Sequence, residues 1–258
     1  MEVSNVSKIF PNKFKGLKDV SLTIYKVECF GLVGQSGSGK TTLGRIMAGI
    51  IHATAGTVLF SGSVDKKTYL VQQGFKKNPQ NLKDKQKLKE IQMIFQDPDQ
   101  ALNPRMIVRD LVEEGLICQG IKDKNQRKVQ VLEMIKLVGL QESDLVRYPH
   151  EFSGGQKQRI VIARALIVKP TLIIADELVS ALDVSIQAQI LNLLNELKEK
   201  LKLTIVFISH DLSIVKYFCD RCVVMYHGNV VEMANVKDIF VFPQHQYTKT
   251  LLKDANLS

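Results

Sequence analysis

Long hydrophobic runs are missing from this sequence. The candidate apolar stretches, Leu172–Ala175 and Thr204–Ile208 among them, are the size of a single strand. A bilayer-crossing helix needs roughly 18 residues or more. The opening Met1-Glu2-Val3-Ser4 has no charged stretch running into an apolar one, so an export signal is not expected. Internal repeats and low-complexity linkers are absent as well. Together these absences lead to the expectation of an intracellular chain whose contact with a membrane runs through a partner.

Cysteine is scarce. Of the four (29, 118, 219 and 222), only Cys219-Asp-Arg-Cys222 is closely spaced. A lone C-x-x-C is half a zinc site or a redox pair, but no second ligand pair stands at metal spacing. Cys222 also opens the apolar run Cys222–Tyr226, where a small buried residue is expected. The structural reading is preferred, with free thiols that suit a reducing compartment.

Negative charge is the scarcer sign, with 26 Asp plus Glu against 35 Lys plus Arg and a formal net charge of +9. Eight lysines against Asp65, Asp84 and Glu90 place +5 of it between Asp65 and Glu90. A solvated surface insertion accounts for this stretch; a patch for anionic headgroups or nucleic acid is the sharper alternative. The aromatics within it are not interleaved with the lysines in a way that serves base stacking, which favours the insertion. With 45% hydrophobic and 24% charged residues over 258 positions, the chain is globular and has a full core to bury.

Short β-rich runs at Val3–Phe10 and Leu17–Ile24 flank the turn-rich Pro11–Gly16. Cys29–Val33 leads into a Gly-rich loop and a helix-like Lys40–Ile50, and Thr57–Phe60 and Ile91–Phe95 read as further strands. From Ile107 to Leu140 the pattern is helical, with Val129, Leu132, Ile135 and Leu137/Val138 on one face and Gly139 as a stop. Leu172–Ala175 and Thr204–Ile208 have the continuous apolar character of strands buried on both faces. Between them Ile186, Ile190, Leu193/Leu194, Leu197 and Leu201 recur at helical spacing. Another helix starts at Asp211, and Cys222–Tyr226 and Val230–Met233 flank a hairpin turn at His227-Gly228-Asn229. The expected class is α/β: a mixed sheet with helices on its faces, interrupted by a mainly helical insert over 97–165.

Gly34-Gln35-Ser36-Gly37-Ser38-Gly39-Lys40-Thr41 satisfies G-x-x-x-x-G-K-[ST], after a strand and opening a helix. Successive backbone N–H groups and the helix N-terminus make a concave anion site, and the glycines let the main chain wrap phosphates without Cβ clashes. Lys40 reaches β- and γ-phosphates in such a loop, and the Thr41 hydroxyl binds Mg²⁺. Downstream, Leu172-Ile-Ile-Ala-Asp176-Glu177 ends a buried strand in two carboxylates. Strand alternation sends neighbouring side chains opposite ways, so the two should do different work. Asp176 suits the Mg²⁺ shell, and Glu177 suits the base that orients an attacking water.

Tyr148-Pro-His-Glu-Phe152-Ser153-Gly154-Gly155-Gln156-Lys-Gln-Arg159 resembles the signature motif of ABC ATPases, which generic P-loop kinases and GTPases lack. Ser153 and two glycines ahead of an amphipathic helix make a second anion site. A capped helix without a ligand would explain Ser153 but not the double glycine followed by Gln156. The resemblance implies that Ser153, Gly154, Gly155 and Gln156 meet the γ-phosphate of ATP held by another subunit, against Gly34 to Thr41 and Thr42. It further implies that Gln96 senses Mg²⁺, that Asp183 in Ser180-Ala-Leu-Asp183 crosses the dimer interface, that His210 contacts the γ-phosphate and that Phe10 stacks on adenine. Phe14 stands nearby, and either phenylalanine is alternatively a core residue.

The resemblance also implies a P-loop NTPase fold: one ABC ATPase domain over 1–258. Its RecA-like core and antiparallel β subdomain would occupy 1–96 and 166–258, its helical signature subdomain 97–165, and the Lys-rich insertion 62–90. ATP and Mg²⁺ are the implied cofactors, with Mg²⁺ held by Thr41, Gln96 and Asp176 and catalysis by Glu177, His210, Gln96 and Lys40. Tyr148–Leu166, Ala101–Arg105, Val179–Ile190 and Tyr247–Leu252 are similar to the peptide/nickel group of bacterial importer ATPases. That group implies a second ATPase subunit, identical or a sister, two integral membrane permease subunits and an extracytoplasmic substrate-binding protein, at the cytoplasmic face of the membrane. Leu178 stands where the family has Pro, Gln246 replaces the Pro of its His-Pro-Tyr-Thr motif, and the Lys-rich stretch is longer than its norm. Two rivals stand beside this reading: a non-transport P-loop kinase, ATPase or scaffold, which the signature motif argues against, and an ABC ATPase acting on nucleic acid. The latter needs a long coiled coil or two cassettes, and neither is present, so no nucleic-acid partner is expected.

Overall fold

The computed structural model describes residues 1–61, 68–73 and 89–257. Its strands are β1 (Glu2–Ile9), β2 (Lys15–Thr23), β3 (Cys29–Val33), β4 (Ala55–Ser61), β5 (Thr68–Gln73), β6 (Ile91–Ile94), β7 (Leu172–Asp176), β8 (Thr204–Ser209), β9 (Arg221–Tyr226) and β10 (Asn229–Asn235). The α-helices are α1 (Lys40–Met47), α2 (Pro98–Ala101), α3 (Val108–Cys118), α4 (Lys124–Leu137), α5 (Gly154–Leu166), α6 (Val184–Leu201), α7 (Leu212–Phe218), α8 (Val236–Val241) and α9 (Gln246–Asp254). One sheet is antiparallel, in the order β2-β1-β4-β5; the other runs β10-β9-β3-β8-β7-β6, parallel except for β10 at its edge.

Side chains of the parallel strands divide by alternation between two cores. Cys29, Val33, Ile173, Ala175, Ile205 and Phe207 face one core. Phe30, Leu32, Leu172, Ile174, Val206 and Ile208 face the other. This second core also takes in Leu43, Ile46 and Met47 of α1 and Val3, Val6, Val20 and Leu22 of the small sheet, so α1 is wedged where the sheets meet. The first core continues through Leu111, Val112, Ile135, Ile160 and Ile162 into the helices between β6 and β7. Each fully buried Val, Leu, Ile, Phe or Met side chain among these contributes about 1.5–3 kcal/mol of transfer free energy.

Two expectations need correction. On α4 the expected Ile135 and Val138 are buried and Leu132 and Leu137 pack against the same core, but Val129 is 55% exposed and Val131 and Met134 are buried in its stead. The polar residues around this helix leave two nearly equivalent spacings, and the packing partners choose between them. In the Lys-rich stretch, residues 62–67 and 74–88 lie outside the described residues, but Thr68–Gln73 forms β5 against β4. The flanking lysines obscured a run of high β-propensity, Thr-Tyr-Leu-Val.

Register sets up the site. Val33 pairs with Ser209, Asp176 with Ile208 and Ile94 with Ala175. The loops after β3, β6, β7 and β8 therefore leave the sheet along one carboxyl edge, where open α/β sheets bind ligands.

Candidate nucleotide-binding site

Gly34–Gly39 turns β3 into α1. Gly34, Gly37 and Gly39 carry φ of 145°, 78° and 104°. A Cβ at Gly34 would sit 2.2 Å from the Met225 carbonyl oxygen, so only glycine lets the loop pass the end of β9. Lys40 arches back over this loop, donating from Nζ to the carbonyls of Gly34 (2.7 Å) and Gln35 (3.0 Å). Burial lowers the pKa of its ammonium, and the nearby Glu177 and Asp176 carboxylates oppose that shift. From outside, Gly228 N–H donates to the Ser38 carbonyl at 3.0 Å and Gln35 N–H to the Tyr247 hydroxyl at 3.2 Å.

Thr41, in the first turn of α1, donates from Oγ1 to Asp176 Oδ1 at 3.0 Å. Burial raises the Asp176 carboxyl pKa above its usual range; the Thr41 hydrogen bond works against this, and Glu177 adds to it. Hydroxyl and carboxylate oxygens at this point are the donor set of a hard cation such as Mg²⁺.

Glu177 does not continue the strand. Its φ is +49°, in the left-handed region that a non-glycine residue seldom occupies. Its N–H donates to the Ile208 carbonyl at 3.0 Å, and Ser180 Oγ donates to the Glu177 carbonyl at 3.0 Å. This turn, rather than strand alternation, is what separates Glu177 from Asp176. The Glu177 carboxylate then meets two residues from neighbouring strand ends. Gln96 Nε2 donates to Oε2 at 2.9 Å, and His210 Nδ1 lies 3.3 Å from Oε1.

The signature segment stands apart. Ser153 Oγ accepts Gln156 N–H at 3.4 Å and Gln156 Oε1 accepts Ser153 N–H at 3.0 Å, a reciprocal cap on α5. A Cβ at Gly155 would lie 2.6 Å from Ile186 Cγ2, and one at Gly154 would lie 3.3 Å from Leu182 Cδ2. The double glycine and Gln156 thus have reasons inside the chain, contrary to the expectation that a capped helix leaves them unexplained. Asp183 caps α6, accepting from Ile186 N–H at 3.0 Å and Ser185 Oγ at 2.7 Å. These bonds, the Ser185 hydroxyl first, hold its carboxyl below the usual range.

Phe10 is half-buried, its ring 6.2 Å from that of Phe14 and lying over Gly16, whose Cβ would come within 2.6 Å of it. Phe14 is the more open ring, 58% exposed. The Gly16 carbonyl oxygen is 2.8 Å from where a Gly39 Cβ would stand, which places this loop beside the phosphate loop. Gly228 and Tyr247 were not assigned to this site from the sequence, and Ser180 was read only as part of the segment that crosses a dimer interface. The hairpin turn and the Tyr247–Leu252 stretch were the available signals, but neither pointed at the loop.

The family model described as ABC transporter matches residues 17–180. The chain belongs to the ABC transporter family. It is 48% identical to the dipeptide transport ATP-binding protein DppF of Lactococcus lactis, over 98% of this chain and 80% of that one. It is 50% identical to the oligopeptide transport ATP-binding protein OppF of Bacillus subtilis, over 92% and 75%. Among solved structures it is similar to cbiO1 from Clostridium perfringens, part of the ABC transporter complex cbiONQ, with TM-score 0.79 and 26% identity over 99% of this chain and 94% of that one. It is also similar to the dimeric cassette MJ0796 bound to ADP and Pi, with TM-score 0.75 and 28% identity over 91% and 98%. The chain is an ABC ATPase with the α/β fold of these cassettes. No helix among the described residues is long and apolar enough to cross a membrane.

Proposed function

We propose that this ABC ATPase energises import of oligopeptides or dipeptides from the cytoplasmic face of a membrane. It would act as one of two cassettes beneath two permease subunits, with an external binding protein delivering cargo. The cargo class rests on the peptide-transport relatives, which favour peptide over nickel. The hydrolytic role rests on one observation: Gln96 and His210 converge on Glu177 beside the loop that Lys40 closes.

In this reading Lys40 exchanges its carbonyl partners for β- and γ-phosphate oxygens, while amides of the Gly34–Thr42 segment take the remaining ones. Thr41, Asp176 and Gln96 hold Mg²⁺, whose chemistry is to neutralise charge on the phosphates. Glu177 accepts the proton of an attacking water, its carboxylate aimed by Gln96 and His210. A phenylalanine of the 10–16 loop stacks on adenine. The exposed Ser153 and Gly154 at the start of α5, and the exposed Asp183, face the nucleotide of a second cassette. A groove of about 940 Å³ bordered by Phe95, Ala101, Cys118 and Arg164 lies next to Gln96 and is the proposed permease seat.

The test is assembly. A Glu177→Gln variant with saturating MgATP is expected to run as a two-cassette species, alone or with its sister. If it stays a single copy in both settings, the sandwich is wrong. Uptake of labelled peptide, and not of nickel, by vesicles carrying the whole transporter decides the cargo.

A further inference from the structure

Gly34 and Gln35 share one peptide unit, and its two ends are held from opposite sides. Its carbonyl accepts Lys40 Nζ at 2.7 Å, and its N–H donates to the Tyr247 hydroxyl at 3.2 Å. In a planar trans peptide the two groups point opposite ways, so any rotation of the unit breaks both bonds together. Tyr247 is itself held in place. Its ring lies 4.1 Å from that of Tyr226 at 32°, on the strand that runs into the Gly228 turn against Ser38. Its N–H donates to His245 Nδ1 at 3.1 Å, and the N–H groups of Gln244 and His245 donate to the Glu232 carboxylate at 2.8 and 3.0 Å. Burial works to raise the Glu232 carboxyl; the Gln244 amide, the Thr248 hydroxyl and His245 together outweigh it and hold the group below its usual range. A chain of contacts therefore runs from β10 through the start of α9 to the phosphate loop.

We propose that Tyr247 is a positioning residue for nucleotide binding: its hydroxyl fixes the Gly34–Gln35 peptide, and with it the path of the phosphate loop, before phosphate arrives. This rests on the reading of Lys40 as the phosphate-binding lysine. The effect is on loop preorganisation, so it should fall equally on ADP and ATP, which share the β-phosphate.

The experiment is equilibrium titration of the full chain with fluorescent MgADP and MgATP analogues, alongside ligand-free melting. Tyr247→Phe keeps the ring and removes the acceptor; it is expected to weaken both nucleotides alike, by about three- to ten-fold, the worth of one hydrogen bond. Its ligand-free melting should fall by no more than the loss of that one bond accounts for. Glu232→Gln should shift affinity the same way by less, and it carries the test if Tyr247→Phe fails to fold. Unchanged affinity overturns the proposal, as does a loss of affinity that only follows a fall in ligand-free stability. Lys40→Ala is the control. If it binds nucleotide normally the underlying reading fails, whereas if it loses binding while Tyr247→Phe does not, only the Tyr247 proposal fails.

Discussion

Thr41 and Asp176, 135 residues apart in the chain, are joined by a 3.0 Å hydrogen bond from hydroxyl to carboxylate. That bond ties the first turn of α1 to the end of β7. It only partly offsets the burial that raises the Asp176 carboxyl pKa.

The raised pKa sets a pH dependence. The folded state holds the Asp176 proton to a higher pH than the unfolded chain, which releases it near 3.8. Stability therefore falls as pH rises through the window above 3.8, and the deficit persists beyond the folded pKa. Asp176→Asn removes it. The nucleotide-free variant should melt above wild type at pH 7, with the gap closing toward pH 4. Mg²⁺-dependent hydrolysis should drop by about 10²-fold or more, as when a charge-stabilising group is lost. Melting scans across pH and a Mg²⁺ titration of turnover check both halves.

Glu177→Gln is expected to bind ATP and to lose about 10²- to 10⁴-fold in the hydrolytic step, the usual contribution of a general base. Ser180→Ala should cost less, about three- to ten-fold, because it removes one hydrogen bond from the left-handed turn that aims the carboxylate. Single-turnover kinetics separate these losses from binding. Near-normal turnover in Glu177→Gln would remove that residue from the base role.

Gly155→Ala forces a methyl to within 2.6 Å of Ile186 Cγ2. Overpacking of this kind costs about 1–3 kcal/mol. Adding Ile186→Ala removes the obstructing methyl and should return part of that stability. Urea unfolding of the two single variants and the double variant measures the coupling, and additive costs would show that Gly155 is required for something other than this contact.

Thiol chemistry should single out Cys118, the exposed cysteine, while Cys29, Cys219 and Cys222 are buried. Burial drives the Cys219 thiol well above its ordinary value and Cys222 up to about 12, so neither offers a thiolate to a reagent. Mass spectrometry of native protein after brief maleimide treatment should find one adduct, and after denaturation four. Early labelling at Cys219 or Cys222 would contradict the packing of the Cys219–Cys222 pair. Cys118 borders the proposed permease seat, so its adduct should also block assembly with the permease.

Much of this site was legible in order along the chain. Gly34–Thr41 announces itself because a phosphate loop needs particular residue types at close spacing, and the same holds for Asp176-Glu177 after an apolar strand. Other features were hidden. The left-handed turn at Glu177 has no glycine to mark it, since the strain is held by Ile208 and Ser180. On α4 the periodicity placed Val129 wrongly and missed Val131 and Met134, because its polar residues allow two spacings. β5 was hidden among lysines.

Local chemistry along the chain determined which segments are strands, which loop suits phosphate and which helix starts carry caps, because each depends on residues only a few positions apart. Tertiary structure alone decided that Gln96, Glu177 and His210 share one carboxylate, that Ile186 demands glycine at 155, and that Tyr247 reaches Gln35. Those depend on strand order and register, which bring groups tens to hundreds of residues apart within hydrogen-bond range. No local pattern encodes that distance.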